Sequence, residues 1–141
     1  MKTLIICGSI TAAKEMLQVQ KQLESMGYKV EVPEGVKRAE LRARTEAENV
    51  EKAADKIKYD LIRGYFEKIK KHDIVLIVNP EKRGIKNYIG GNTLMEMAFA
   101  HVLNKGLYIY HGVPDMPYTA EILGMQPVVL EGELGGLELE V

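Results

Sequence analysis

Short apolar runs alternate along the chain with longer stretches whose apolar residues recur every three or four positions. The short apolar runs predict buried strands, and the longer periodic stretches predict helices. From Tyr28 to Val32, polar and apolar residues alternate before Pro33, which predicts a less buried strand near a sheet edge. In chain order, the predicted strands are Thr3–Cys7, Tyr28–Val32, Ile74–Val78, Leu107–Tyr110 and Pro127–Leu130. The predicted helices are Ala12–Met26, Val50–Lys71, Asn92–Asn104 and Thr119–Gly124.

Strands that alternate with helices predict a parallel sheet joined by right-handed crossovers. We therefore expect an α/β fold, a three-layer flavodoxin-like sandwich with a five-stranded parallel sheet, and one domain over residues 1–141. Such sheets bind ligands at the carboxyl ends of their strands. The candidate binding residues are those that directly follow strands: Gly8, Ser9, Ile10 and Asn79.

Composition and charge argue against several classes of binding partner and site. The formal net charge of −1, with 28% charged residues, predicts no field that attracts a nucleic-acid polymer or an anionic membrane. Cys7 is the single cysteine, and His72, His101 and His111 share no metal-ligand spacing, so we expect neither a disulfide framework nor a metal site. The first apolar run is too short for a signal peptide, which favours a cytoplasmic location.

A glycine-rich turn stands before the third predicted helix. Gly90, Gly91, Asn92 and Thr93 form a plausible cradle for a phosphate or sugar hydroxyl, because glycines let backbone N–H groups approach a ligand at a helix N-terminus. The alternative is that Asn92 or Thr93 only caps the helix. Both interpretations fit the spacing.

Glu96 is predicted in the first turn of that helix, within the apolar stretch from Leu94 to Phe99. A first-turn carboxylate commonly serves the helix dipole or a capping box. However, a helix that is apolar on nearly every face must be buried, and a buried carboxylate requires a partner or a function. Glu96 is therefore a candidate catalytic residue.

The segment from Tyr88 to Gly106 resembles the glutamate-centred signature of the nucleoside 2-deoxyribosyltransferase family. The likeness is carried by Gly91-Asn92-Thr93, Glu96, Ala98, Ala100 and Lys105-Gly106, with Ala98 where the family prefers glycine. The loop Cys7-Gly8-Ser9-Ile10 is similar to that of the family's deoxynucleoside 5′-monophosphate N-glycosidase branch, in which arginine stands at the position of Thr11. Together these likenesses span most of residues 3–130.

The resemblance implies an enzyme that cleaves or exchanges N-glycosidic bonds without a cofactor. Glu96 would be the nucleophile, and the loop Gly8-Ser9-Ile10 together with Gly91, Asn92 and Thr93 would hold the nucleoside or nucleotide. Tyr65 stands where the family carries an aspartate near the departing base. Its hydroxyl could meet substrate, and Asp60 or Glu67 could replace the aspartate.

Two further functions stay open at this point. The chain could be a binding module that keeps the pocket without turnover, as the replacement at Tyr65 suggests. It could also be a phosphoribohydrolase of the lysine-decarboxylase-like type, whose glycine-rich loop is distantly similar to Gly90–Glu96, although Asn92 replaces a glycine there.

The apolar character of the helix Asn92–Asn104 also predicts a homodimer or higher homo-oligomer. A helix that covers one side of a sheet needs only one apolar stripe, whereas this helix has almost no polar face. The family resemblance implies the same, because its members assemble as oligomers. Burial under the loop from His111 to Tyr118 is the competing explanation.

Overall fold

A computed structural model describes residues 2–36 and 61–140, with side chains described to residue 137. Five parallel strands form one sheet in the order β2-β1-β3-β4-β5, with bounds β1 Thr3–Cys7, β2 Lys29–Glu31, β3 Ile74–Ile77, β4 Gly106–Ile109 and β5 Val128–Val129. The helices are α1 Ala13–Ser25, α2 over 61–70, α3 Gly91–Val102 and α4 Thr119–Gly124. The predicted flavodoxin-like three-layer architecture is confirmed.

The two faces of the sheet carry separate apolar cores because successive strand residues point to opposite sides. In β1, Leu4 and Ile6 pack with α1, whereas Ile5 and Cys7 pack with residues of α2, α3 and α4. These four residues of β1 are fully buried, which explains why they form a continuous apolar run. Cys7 therefore ends the strand on the side where α3 lies.

Several element boundaries differ from the sequence prediction. A 3₁₀ turn over Ile10–Ala12 precedes α1, and a second 3₁₀ helix over Leu134–Glu140, absent from the prediction, buries Leu134 and Leu137 in the α1-side core. The first ten residues of the predicted helix Val50–Lys71, and Asp60 after them, lie outside the described residues. Within 2–36 and 61–140, no helix has both the length and the apolar character needed to cross a bilayer.

Candidate active site

Glu96 contacts the end of the first strand from the second turn of α3. Its carboxyl group lies near the thiol of Cys7, the last residue of β1. The hydroxyl of Tyr65 on α2 lies near the same thiol. Three elements that are distant in sequence thus bring a carboxyl, a thiol and a phenol together on one face of the sheet.

The helix that carries Glu96 begins one residue earlier than predicted, at Gly91, with Gly90 as its N-cap. The prediction that Glu96 lies in the first turn is therefore wrong, and no acidic residue occupies that turn. No side chain caps the helix, so capping by Asn92 or Thr93 is also wrong. Neither of the structural explanations considered from the sequence accounts for Glu96.

Burial determines the electrostatics of Glu96. Loss of water around the carboxyl raises its pKa to about 8, and the nearby Cys7 thiol opposes this rise only in part. At pH 7 roughly nine in ten Glu96 side chains are therefore protonated. A carboxyl with a pKa in this range, at the carboxyl end of a parallel strand, is typical of a catalytic group.

Tyr65 is held by the main chain of β1. Its hydroxyl donates to the carbonyl oxygen of Ile6 at 2.7 Å, and its ring packs against the core on the α3 side of the sheet. Burial first, and then the nearby Cys7 and Glu96, raise the pKa of the phenol well above its ordinary value. Tyr65 is therefore neutral at physiological pH, with its hydroxyl hydrogen already donated to the backbone.

The predicted β1 loop is fixed by a close backbone contact at Gly8. An added Cβ at Gly8 would lie 2.5 Å from the carbonyl oxygen of Val78, so only glycine fits. Ser9 follows as the cap of the 3₁₀ turn, and Ile10 is 51% exposed. The loop thus presents Ser9 and Ile10 outward from a rigid base.

Asn79, the predicted binding residue after β3, is hydrogen-bonded to two neighbouring loops. Its side-chain amide donates to the carbonyl oxygens of Asn87 at 3.1 Å and Gly112 at 2.8 Å, and its oxygen accepts from the N–H of His111 at 3.2 Å. Asn79 is 2% exposed, and both amide hydrogens are engaged. In this arrangement Asn79 shapes the carboxyl edge of the sheet.

The predicted cradle lies at the start of α3. Gly91 and Asn92 are exposed there, whereas Thr93 is buried. An added Cβ at Gly91 would have open space around it, so a ligand has access to the backbone of this residue. Two of the predicted cradle residues, Gly91 and Asn92, are therefore accessible to a ligand, whereas Thr93 belongs to the interior.

Other polar groups are explained by local partners. The His111 Nε2 lies 2.7 Å from Glu15 Oε1, a pair that no sequence pattern indicated. Asp73 accepts from the N–H and hydroxyl of Thr3 on β1, and these bonds hold its pKa below the ordinary value. Glu67 is exposed and pairs with Lys70 at 3.8 Å. In the described part of the chain, no three His, Cys, Asp or Glu residues could together hold a metal ion.

Comparison of the chain with known proteins finds no match. No protein-family model, curated protein or solved structure matches the chain. A functional assignment therefore depends on the chemistry of the cluster around Glu96 and on the resemblance carried by α3.

Proposed function

We propose that the protein is a nucleos(t)ide N-glycosidic-bond enzyme of the 2-deoxyribosyltransferase type, with Glu96 as its nucleophile. The observation that carries the proposal is the half-buried Glu96 carboxyl, with a pKa raised to about 8, beside Cys7 at the carboxyl end of β1. Ligands bind at this edge of parallel sheets. Capping of α3 does not account for the residue.

The proposed reaction proceeds in two steps. The ionised Glu96 carboxylate forms a bond to the anomeric carbon while the bond from that carbon to the base nitrogen breaks, and the base leaves with the electron pair. Water or a second base then attacks the same carbon and releases the carboxylate. Because burial weakens solvation of the carboxylate, the ionised form is a more reactive nucleophile than one in water.

The leaving base receives no proton from Tyr65 in the described arrangement. The Tyr65 hydroxyl donates to Ile6, and its raised pKa makes it a weak acid. General-acid assistance commonly contributes about 10²–10⁴-fold to such a step. We therefore expect slow turnover, with a preference for bases that leave readily as anions.

Replacement of Tyr65 by phenylalanine tests this interpretation of the hydroxyl. Tyr65→Phe is expected to keep base release within about threefold of the native rate and to cost about 1 kcal/mol of stability through the lost bond to Ile6. Initial rates and urea denaturation measure the two effects. A loss of 10²-fold or more in rate, with the fold intact, would instead identify Tyr65 as the proton donor.

The proposal as a whole is tested with a panel of deoxynucleosides and their 5′-monophosphates, with free base separated by chromatography. Base release from any member supports the enzyme and excludes a module that only binds. A module that only binds is the second candidate. It is favoured because the Tyr65 hydroxyl donates its hydrogen to Ile6 and so does not protonate a leaving base. Binding of panel members without release, between pH 7 and pH 9, would establish that second function.

We also propose that the chain forms a homodimer through α3. In the single chain Val102 on this helix is 74% exposed, whereas Leu94, Phe99 and Leu103 pack partly against the core. Light scattering is expected to give twice the 15.8 kDa chain mass, and Val102→Glu is expected to shift the protein toward monomer because a charge opposes burial at an apolar contact. A native monomer at micromolar concentration contradicts the proposal.

A further inference from the structure

His111 lies at the carboxyl edge of the sheet, two residues beyond the end of β4. Cys7, Ile77 and Ile109 are register partners on the adjacent strands β1, β3 and β4. Neighbouring strands lie about 5 Å apart, so the end of β1, near Glu96, is about 10 Å across the sheet from the end of β4. His111 and Glu96 therefore lie at the same edge, where parallel sheets bind ligands.

The imidazole of His111 and its main chain are fixed by three neighbours. Its Nε2 lies 2.7 Å from Oε1 of Glu15, in the first turn of α1. The Tyr110 ring packs edge-on against the imidazole, with 4.8 Å between the ring centres. The N–H of His111 donates to Asn79 Oδ1 at 3.2 Å, which fixes the main chain that carries the ring. The second ring nitrogen, Nδ1, therefore has a defined direction.

The partner of Nε2 determines where the imidazole carries its hydrogen. A carboxylate only accepts hydrogen bonds, so Nε2 donates to Glu15 and the neutral ring has a lone pair on Nδ1. Among residues 2–36 and 61–137, no group is hydrogen-bonded to Nδ1 of His111, and no buried side-chain nitrogen lacks a partner. The Nδ1 lone pair is therefore open to solvent.

A carboxylate bonded to one imidazole nitrogen makes the other nitrogen a general base. It selects the tautomer, orients the ring and stabilises the imidazolium that forms when Nδ1 accepts a proton. The other two histidines differ from His111. The Nδ1 of His72 donates to the carbonyl oxygen of Lys68 at 2.6 Å, and His101 has no carboxylate partner within the described ranges.

We propose that His111, oriented by Glu15, is the general base that hydrolyses the glycosyl intermediate on Glu96. The water oxygen forms a bond to the anomeric carbon and a water proton passes to His111 Nδ1. The bond from that carbon to the Glu96 oxygen breaks, and its electron pair returns to the carboxylate. The free sugar leaves, and the imidazolium returns its proton to solvent. This inference rests on the proposed function and selects water, rather than a second base, as the acceptor.

The first test follows the intermediate by intact-mass spectrometry while chromatography follows the released base. In His111→Gln the second step is expected to slow about 10²–10⁴-fold, the usual contribution of a general base, whereas the first step keeps its rate. The variant should release one equivalent of base per chain and accumulate the sugar on Glu96. Adding Glu96→Gln to this variant should abolish the adduct. His101→Gln, at an exposed histidine on α3, is the matched control and should keep the native rate.

Glu15→Gln provides a second variant if His111→Gln fails to fold, because Glu15 is half-buried near the start of α1. Its second step is expected to slow at least about tenfold, since an amide neither selects the tautomer nor stabilises the imidazolium. Nitrogen NMR of the ring should show the hydrogen on Nε2 in the native chain and a larger share on Nδ1 in Glu15→Gln. Glu24→Gln, at an exposed carboxylate of the same helix, should leave both measurements unchanged.

Added imidazole distinguishes the loss of a base from the loss of packing. Free imidazole is expected to restore part of the turnover of His111→Ala and none of the turnover of Glu96→Gln. Native rates of hydrolysis in both His111→Gln and Glu15→Gln overturn the inference. Slower base release without an accumulated intermediate also overturns it, because that result places His111 in the first step or in the fold alone.

The two proposals can fail separately. If the native chain and the His111 and Glu15 variants release base at equal rates, the proposed function stands and the role of His111 fails. If the native chain releases no base from any panel member, the proposed function fails. A native ring that carries its hydrogen on Nδ1 overturns the role of His111 without any substrate.

Discussion

Replacing Glu96 with glutamine is expected to reduce base release by at least about a thousandfold, because the amide cannot form the covalent intermediate. The substitution keeps the size of the side chain and resembles the protonated carboxyl that predominates at neutral pH. The fold should therefore persist, and substrate binding should stay measurable. Chromatography of released base from the most reactive panel member provides the rate.

The control for this substitution is Glu67→Gln on α2, where the native carboxylate is exposed and ion-paired with Lys70. Its rate is expected to match that of the native chain. The native rate should also rise with pH to a midpoint near the Glu96 pKa of about 8, because only the ionised carboxylate attacks. Near-native turnover in Glu96→Gln would remove Glu96 from the mechanism.

The second large effect expected at Glu96 is a pH-dependent change in stability. The pKa of Glu96 is raised in the fold from 4.5 to about 8, so between these values the native state binds a proton that the unfolded chain has lost. The contribution of Glu96 is fully present below pH 4.5 and is lost as pH rises through 8. Relative to Glu96→Gln, the native chain should lose on the order of 4 kcal/mol of unfolding free energy across this window.

Urea denaturation of the native chain and of Glu96→Gln at pH 5, 7 and 9 measures this difference directly. Other ionisable groups contribute equally to both chains and cancel in the comparison. Glu67→Gln again serves as the control, and its difference from the native chain should stay nearly constant across the three pH values. Parallel pH profiles for native and Glu96→Gln would show that Glu96 is solvated in the fold.

The order of elements could be predicted because the buried strands leave strong signals. The run Ile74–Ile77 is apolar at every position, and β2 alternates because it lies at the edge of the sheet. Helix ends were less predictable. The α3 helix begins at Gly91 without a capping side chain, so the usual sequence signal for a start was absent.

The candidate site was predictable only in part. The position of Glu96 in an apolar stretch pointed to a special carboxyl, but its contact with Cys7 depends on long-range packing that no local pattern encodes. The Tyr65 hydroxyl was expected to be able to meet substrate, and its bond to Ile6 depends on how α2 crosses the sheet. The contact of Lys82 with Ser9 had no sequence signal, because the two residues lie in loops that follow different strands.

The chain has a single cysteine, Cys7, and its buried thiol can report on local opening of the fold. Burial, together with the adjacent Glu96, raises its pKa, so it resists alkylation while the fold is closed. Labelling by a thiol reagent requires the sheet edge to open around Glu96 and Tyr65. The rate of labelling therefore follows the opening of the cluster formed by Cys7, Glu96 and Tyr65, and a ligand that occupies this cluster should slow labelling in proportion to its occupancy.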